Sequence, residues 1–499
     1  MPEKDVLEFV SALAGWRDRS GPSYRKLSDA IREALGAGRF PVGTALPPER
    51  RLAEALGVSR TTVVGAYEAL RSEGWLESIQ GSGTRVRREA PQPMGAALAA
   101  QRTDAAPLAA QRRHSAFRGL VDSGGTAVSF LGLHLPAIAP DFEEALAETA
   151  RDSRSLLRGH GYSGLGLSTL REAIARHLTS GGLPTRSSEV LVTHGAQQAI
   201  GLAAQLLLRR GDTVVLEDPT YIGAIDPFEG TGARLATVPL GPAGVRVDRL
   251  AAVVEREHPR AIYLMPTFQN PVGAVIPAEA RREIAAIADR HGAVVVEDGT
   301  LDELDFGTRP PPPIAAFSRG GRVVTIGSLS KLIWGGLRVG WLRAPAPLLD
   351  AAAELKVMSD LGNSPLSQSL AARLMRRLPE IRARRRTEVM ERFEVLAEEL
   401  ARRLPDWEWA PPLGGLSIWV RLPHGNAEEF GSLARRHGVA ILPGSVFSPS
   451  NGHADHIRLP FCLEPEEIRD GIARLARAWS EYVPASAGRP PERPLHVVV

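Results

Sequence analysis

Five short apolar runs constrain this chain more than any other feature. They occupy residues 190–193, 213–217, 261–265, 293–297 and 322–326, with helical segments between them. β-Branched runs this short read as buried strands. Strands alternating with helices specify an α/β fold with a mostly parallel sheet and helices on both faces. Open sheets of this kind collect ligands at the carboxyl ends of their strands. The loops after these runs are therefore where chemistry belongs.

Such a sheet does not use the whole chain. At 499 residues there is more than one core's worth of sequence, and two or three domains are expected. A single cysteine, Cys462, excludes an internal disulfide and fits a reducing compartment. Four charges among the first ten residues speak against a secretory leader. No apolar run approaches the ~20 residues of a membrane span. A cytoplasmic protein is expected, with no membrane role.

Residues 20–88 form a separate unit. Residues 23–88 carry eleven Arg plus Lys against seven Asp plus Glu, a net +4 that suits a polyanionic partner. A helical stripe over 24–35 ends at Gly36 and Gly38, Pro47 and Pro48 open a second helix, and Ser59 caps a third. The tight turn Leu56-Gly57-Val58-Ser59 makes the last two a helix-turn-helix. Trp75 to Val86 then reads as a hairpin around Gly81 and Gly83, a wing. The third helix opens Ser59-Arg60-Thr61-Thr62, with amides and a positive dipole end suited to phosphate, and Arg60 and the threonines suited to base edges. The stretch LPPERRLAEALGVSRTTVVGAYEALRSEGWLESIQGSGTRV resembles the winged helix of GntR-type bacterial regulators. That resemblance implies double-stranded DNA as partner, touched by Arg50, Ser59, Arg60, Thr61, Thr62 and Gly81. Residues 89–125, rich in Ala, Pro and Gln, read as a linker in which Arg112, Arg113 and Arg118 serve phosphate contacts or solubility. The Pro-rich tail, 483–499, reads as disordered.

Residues 126–482 hold the chemistry. Lys331 follows the run 322–326 in the sequence VVTIGSLSKLIWGGLRVGW; desolvation at a strand end lowers an ammonium's pKa, as a Schiff-base lysine requires. Gly195, Ala196 and Gln197 open a helix whose amides suit a phosphate. Tyr221 offers a ring for stacking, Asn270 an amide for a ring oxygen, Asp298 a buried carboxylate for a cationic nitrogen, and Arg458 a clamp for a carboxylate. Together they describe pyridoxal phosphate.

This region resembles the fold-type-I aminotransferases, and its fusion to the winged helix resembles the MocR branch of GntR regulators. The resemblance implies a winged helix-turn-helix followed by an aminotransferase-like domain with a smaller C-terminal subdomain, working as a homodimer. It implies that Lys331 carries the cofactor, that Ser328 and Arg338 join the 195–197 turn at the phosphate, and that Tyr162 reaches the neighbouring subunit's phosphate. One departure stands out. The family's tyrosine after the aspartate is missing from Asp298-Gly299-Thr300-Leu301, leaving Thr300 as a weak substitute. The reading is a regulator that senses pyridoxal phosphate or an amino compound. An aminotransferase with an appended DNA-binding module is the alternative, and a regulator that has lost the cofactor is a third. No metal is expected.

Overall fold

The structure, a computed structural model, describes residues 3–13, 15–16, 22–36, 40, 43–72, 75–79, 83–86, 113 and 128–483. It divides into two units, Met1–Pro107 and Leu108–Val499.

In the first unit α1 (Glu3–Ala12) precedes α2 (Ser23–Gly36), α3 (Glu49–Leu56) and α4 (Arg60–Ser72), and β1 (Leu76–Ile79) pairs antiparallel with β2 (Gly83–Val86). The turn between α3 and α4 is tight because Gly57 is left-handed, φ 62° and ψ 42°, which a Cβ disfavours. The Thr62 N–H donates to Ser59 Oγ at 3.2 Å and caps α4. Leu27, Ile31, Leu52, Val63, Tyr67 and Leu70 interleave into one core, and Arg60 and Thr61 stay exposed. Phe9, Leu13 and Trp16 join that core from the first helix and the turn after it, an addition the sequence reading missed. Gly81 lies outside the described residues.

The second unit opens with β3 (Val128–Ser129). An eight-stranded sheet follows, built from β4 (Val190–Thr193), β5 (Thr213–Asp218), β6 (Arg234–Gly241), β7 (Gly244–Val245), β8 (Ala261–Leu264), β9 (Val294–Asp298), β10 (Val323–Ser328) and β11 (Gly340–Arg343). Its order is β4-β11-β10-β9-β8-β5-β6-β7. All pairs from β10 to β6 are parallel; β11 opposes β10 and β4, and β7 turns back on β6. All five expected runs are strands of this sheet; 190–193 matches β4 at both ends, and the others shift by at most two residues. Next come β12 (Glu408–Trp409), β13 (Ser417–Arg421), β14 (Val439–Ala440), β15 (Leu442–Pro443) and β16 (His456–Pro460). They form a smaller sheet, β12-β13-β16-β15, while β14 pairs parallel with β3.

Arg113 corrects the reading of the linker. Its side chain is 3% exposed and pairs with Asp226 at 2.8 Å and with Glu229, both on the helix Ile222–Glu229. A guanidinium this buried requires paired anions, so it neither serves DNA phosphates nor aids solubility. Arg112, Arg118 and the tail 484–499 lie outside the described residues. Among the described residues no helix is long and apolar enough to cross a membrane.

Candidate functional site

The carboxyl end of β9 and the loops after β5, β8 and β10 bring Asp298, Tyr221, Asn270 and Lys331 around one cavity of about 210 Å³. Ala196, Gln197, Ser328, Arg338 and Arg458 complete its wall, with Gly132, Leu133, His134 and Ser330, which carried no signal in the sequence. A larger cleft of about 830 Å³ lies beside Arg382 and Arg386. Those arginines are paired with Asp305, and the cleft holds none of the expected site residues.

Lys331 sits three residues beyond β10, and its Nζ donates to the Leu133 carbonyl at 2.5 Å. Burial pushes its pKa down to about 8, which brings the nucleophilic neutral amine within reach near neutral pH. Asp298 ends β9 and is buried. Tyr263 of β8 donates its hydroxyl to Asp298 Oδ2 at 2.8 Å, and Thr300 donates its N–H and hydroxyl to Oδ1 at 2.9 and 2.5 Å. Burial raises the carboxyl's pKa, and these donors pull against it by favouring the anion. Thr300 is therefore no stand-in for the missing phenol: its hydroxyl is committed to Asp298. Leu301 lines the cavity beside it.

The helix Ala196–Leu207 points its amino end at the cavity, and Gly195 precedes it at φ 77°. A Cβ on Gly340 of β11 would lie 2.7 Å from the Gly195 backbone, and one on Gly195 would lie 3.2 Å from Arg338. Both positions stay bare so that turn, strand and guanidinium close up. Arg338 donates to the His194 carbonyl at 2.7 Å. Gln197 is used within the protein. Its amide donates to the Gly223 carbonyl at 2.6 Å and accepts from the Tyr221 hydroxyl at 3.1 Å, holding the tyrosine ring and leaving the Gln197 N–H for a ligand.

Arg458, on β16, is 2% exposed and faces no carboxylate among the described residues. It donates to the Leu131 carbonyl and to Asn270 Oδ1, lies 5.0 Å from the Phe447 ring centroid, and has no partner for Nε. Burial lowers its pKa to about 10. Tyr162 does not join the cavity; its side chain is exposed on the surface. No group of His, Cys, Asp and Glu among the described residues suits a metal.

In the first unit Arg50 and Arg60 have side-chain exposures of 83% and 69% and pair with Glu54 and Glu49. Exposed pairs are weak, so both guanidiniums are open to exchange for phosphate. Ser59 Oγ lies 2.8 Å from both the Thr61 and the Thr62 hydroxyl.

A helix-end anion site, a held aromatic ring, a buried carboxylate and a desolvated lysine at the strand ends define the fold-type-I aminotransferase fold, here preceded by a winged helix. The aminotransferase class I and II family matches residues 134–475, and the gntR family of bacterial regulatory proteins matches residues 23–86. The probable rhizopine catabolism regulatory protein MocR of Rhizobium meliloti is 32% identical over 93% of this chain and 95% of its own. The HTH-type transcriptional regulator TauR of Rhodobacter capsulatus is 31% identical over 92% and 96%. Among solved structures, the α-aminoadipate aminotransferase LysN of Thermus thermophilus, complexed with N-(5'-phosphopyridoxyl)-L-leucine, aligns with a TM-score of 0.68. Its identity is 34%, covering 76% of this chain and 98% of that one. The chain belongs to the MocR subfamily of GntR-type transcriptional regulators. It is a DNA-binding regulator whose second unit has the pyridoxal-phosphate-dependent aminotransferase fold.

The residues present fit that cofactor. The bare Gly195 and Gly340 backbones and the helix amino end leave an anion cradle, and Asp298, lining the cavity, has one of about four lone-pair sites left beside its three donors. Ala196, Gln197, Ser328 and Arg338 would hold the phosphate, Tyr221 the ring face, Asn270 the ring oxygen, Asp298 the ring nitrogen and Lys331 the carbonyl carbon. Bound there, the cofactor supplies an electron sink whose carbonyl carbon exchanges between lysine and free amines.

Proposed function

We propose that this regulator senses a carboxylate-bearing amine at the pyridoxal phosphate site and passes its occupancy to the winged helix. The carrying observation is Arg458, a buried guanidinium with a free Nε and no carboxylate partner among the described residues, on the same cavity as Lys331. Burial without a counter-ion is costly, and a ligand carboxylate relieves it in bidentate geometry. Coupling between that site and DNA is allosteric in the strict sense: two sites, reciprocal free energies. A DNA partner places the work in the cytoplasm.

The regulator works as a homodimer in this reading. Met358 at 87%, Tyr162 at 65%, Leu157, Leu361 and Leu366 are exposed apolar or aromatic side chains. A bridge between Ser163 and Gly362 joins the two segments into one patch. A second copy of the chain is its occupant, with Tyr162 reaching the partner's phosphate. Two winged helices then address paired half-sites on DNA.

The test is Lys331→Ala. The variant should bind operator DNA as the wild type does, yet lose the change in DNA affinity that pyridoxal phosphate plus amino acid brings. An unchanged response sinks the proposal. The reactive pKa of Lys331 favours a second reading, aminotransferase turnover, and sustained keto-acid production from an amino acid would establish it.

A further inference from the structure

We infer that Tyr263 is a positioning residue of the cofactor site, holding Asp298 ionised and aimed at the ring nitrogen. This rests on the reading that Asp298 partners the ring nitrogen of pyridoxal phosphate. The geometry starts from register. β8 and β9 are parallel, with Tyr263 opposite Val296, so a tyrosine at this rung extends along the strand toward the carboxylate two residues beyond its partner. Its hydroxyl meets Asp298 Oδ2 at 2.8 Å while the ring is fully buried, 5.5 Å from Phe228 between centroids. Thr300 takes the other oxygen with two donors.

Three donors converge on one carboxylate, each favouring its charged form. A lone buried aspartate would drift toward the neutral acid and stop holding a proton on the ring nitrogen. The protein places no phenol in the Gly299-Thr300-Leu301 stretch that follows the aspartate. Its buried tyrosine acts instead from the adjacent strand, on the nitrogen end of the ring.

The experiment uses the full chain loaded with pyridoxal phosphate. Tyr263→Phe removes one oxygen and keeps the ring. The bond is made with and without cofactor, so binding loses only the part it plays in keeping Asp298 charged against the ring nitrogen, and cofactor affinity should fall. A ring nitrogen held less firmly protonated puts less positive charge beside the Lys331 nitrogen. The pH at which the bound cofactor's absorption changes should therefore move upward. Phe228→Leu perturbs packing against the same ring without touching the donor, and should leave that pH in place. The inference is overturned if Tyr263→Phe leaves affinity and transition unmoved, or if Phe228→Leu shifts the transition as far. If Tyr263→Phe does not fold, Thr300→Val serves: it removes one donor to the same carboxylate and should shift the transition upward by less, and no shift overturns the inference. A wild-type chain with no absorption from bound cofactor overturns the cofactor reading and this inference with it; a wild-type transition that Tyr263→Phe does not shift overturns this inference alone.

Discussion

Lys331 carries a sharp pH signature. Its ordinary pKa of 10.5 is lowered to about 8, first by burial, so the unprotonated amine needed to capture an aldehyde reaches half occupancy near that value. Capture of pyridoxal phosphate by the cofactor-free chain should speed up as pH rises to about 8 and level off above it. Stopped-flow absorbance would show this; continued acceleration to about pH 10 would mean a solvated lysine. Arg458→Leu tests the other cation. Losing one partner of a buried charge pair costs about 2–5 kcal/mol, so a carboxylate-bearing amino acid should bind roughly thirtyfold or more weakly while cofactor capture persists, measured by spectral titration. Both residues were legible because a cation in or after an apolar strand is chemically out of place. Tyr263 was not. A tyrosine inside an apolar run reads as core, and only the register of two parallel strands brings its hydroxyl to Asp298. Arg113 was illegible for the converse reason: its anions, Asp226 and Glu229, lie more than a hundred residues downstream.

At the scale of elements, the apolar runs announced β5, β8, β9 and β10 of the parallel centre and β4 at the edge, while β6, β7 and β11 went unread. β11 escaped because Gly340–Arg343 opens on glycine and ends on arginine, leaving only Trp341 and Leu342 as apolar signal. Yet this strand backs the Gly195 turn that would hold the phosphate. Gly340→Ala would place a methyl 2.7 Å from Gly195 and 2.8 Å from the Gly327 carbonyl, where nothing but backbone can yield. Overpacking of this kind costs about 1–3 kcal/mol. Denaturant unfolding should show that loss together with weaker cofactor binding, and a variant matching wild type in both would refute the close-approach argument.

At the scale of the molecule, the exposed patch and the winged helix make separate predictions. Met358→Asp puts a charge into the proposed subunit contact, so sedimentation should report monomer, with weaker binding to a two-half-site operator. A persistent dimer would place the contact elsewhere. Arg60→Ala should reduce the slope of log affinity against log salt by about one if the arginine meets a phosphate. The pairing of β3 with β14 bears on how the protein is made. Val128 lies opposite Val439, 311 residues later in the chain. Synthesis runs at about 5–20 residues per second, so for roughly 15–60 s the nascent second unit waits with its opening strand unpartnered. The winged helix is complete long before then. On the ribosome, a module able to read DNA exists before the aminotransferase-like unit that follows it is complete.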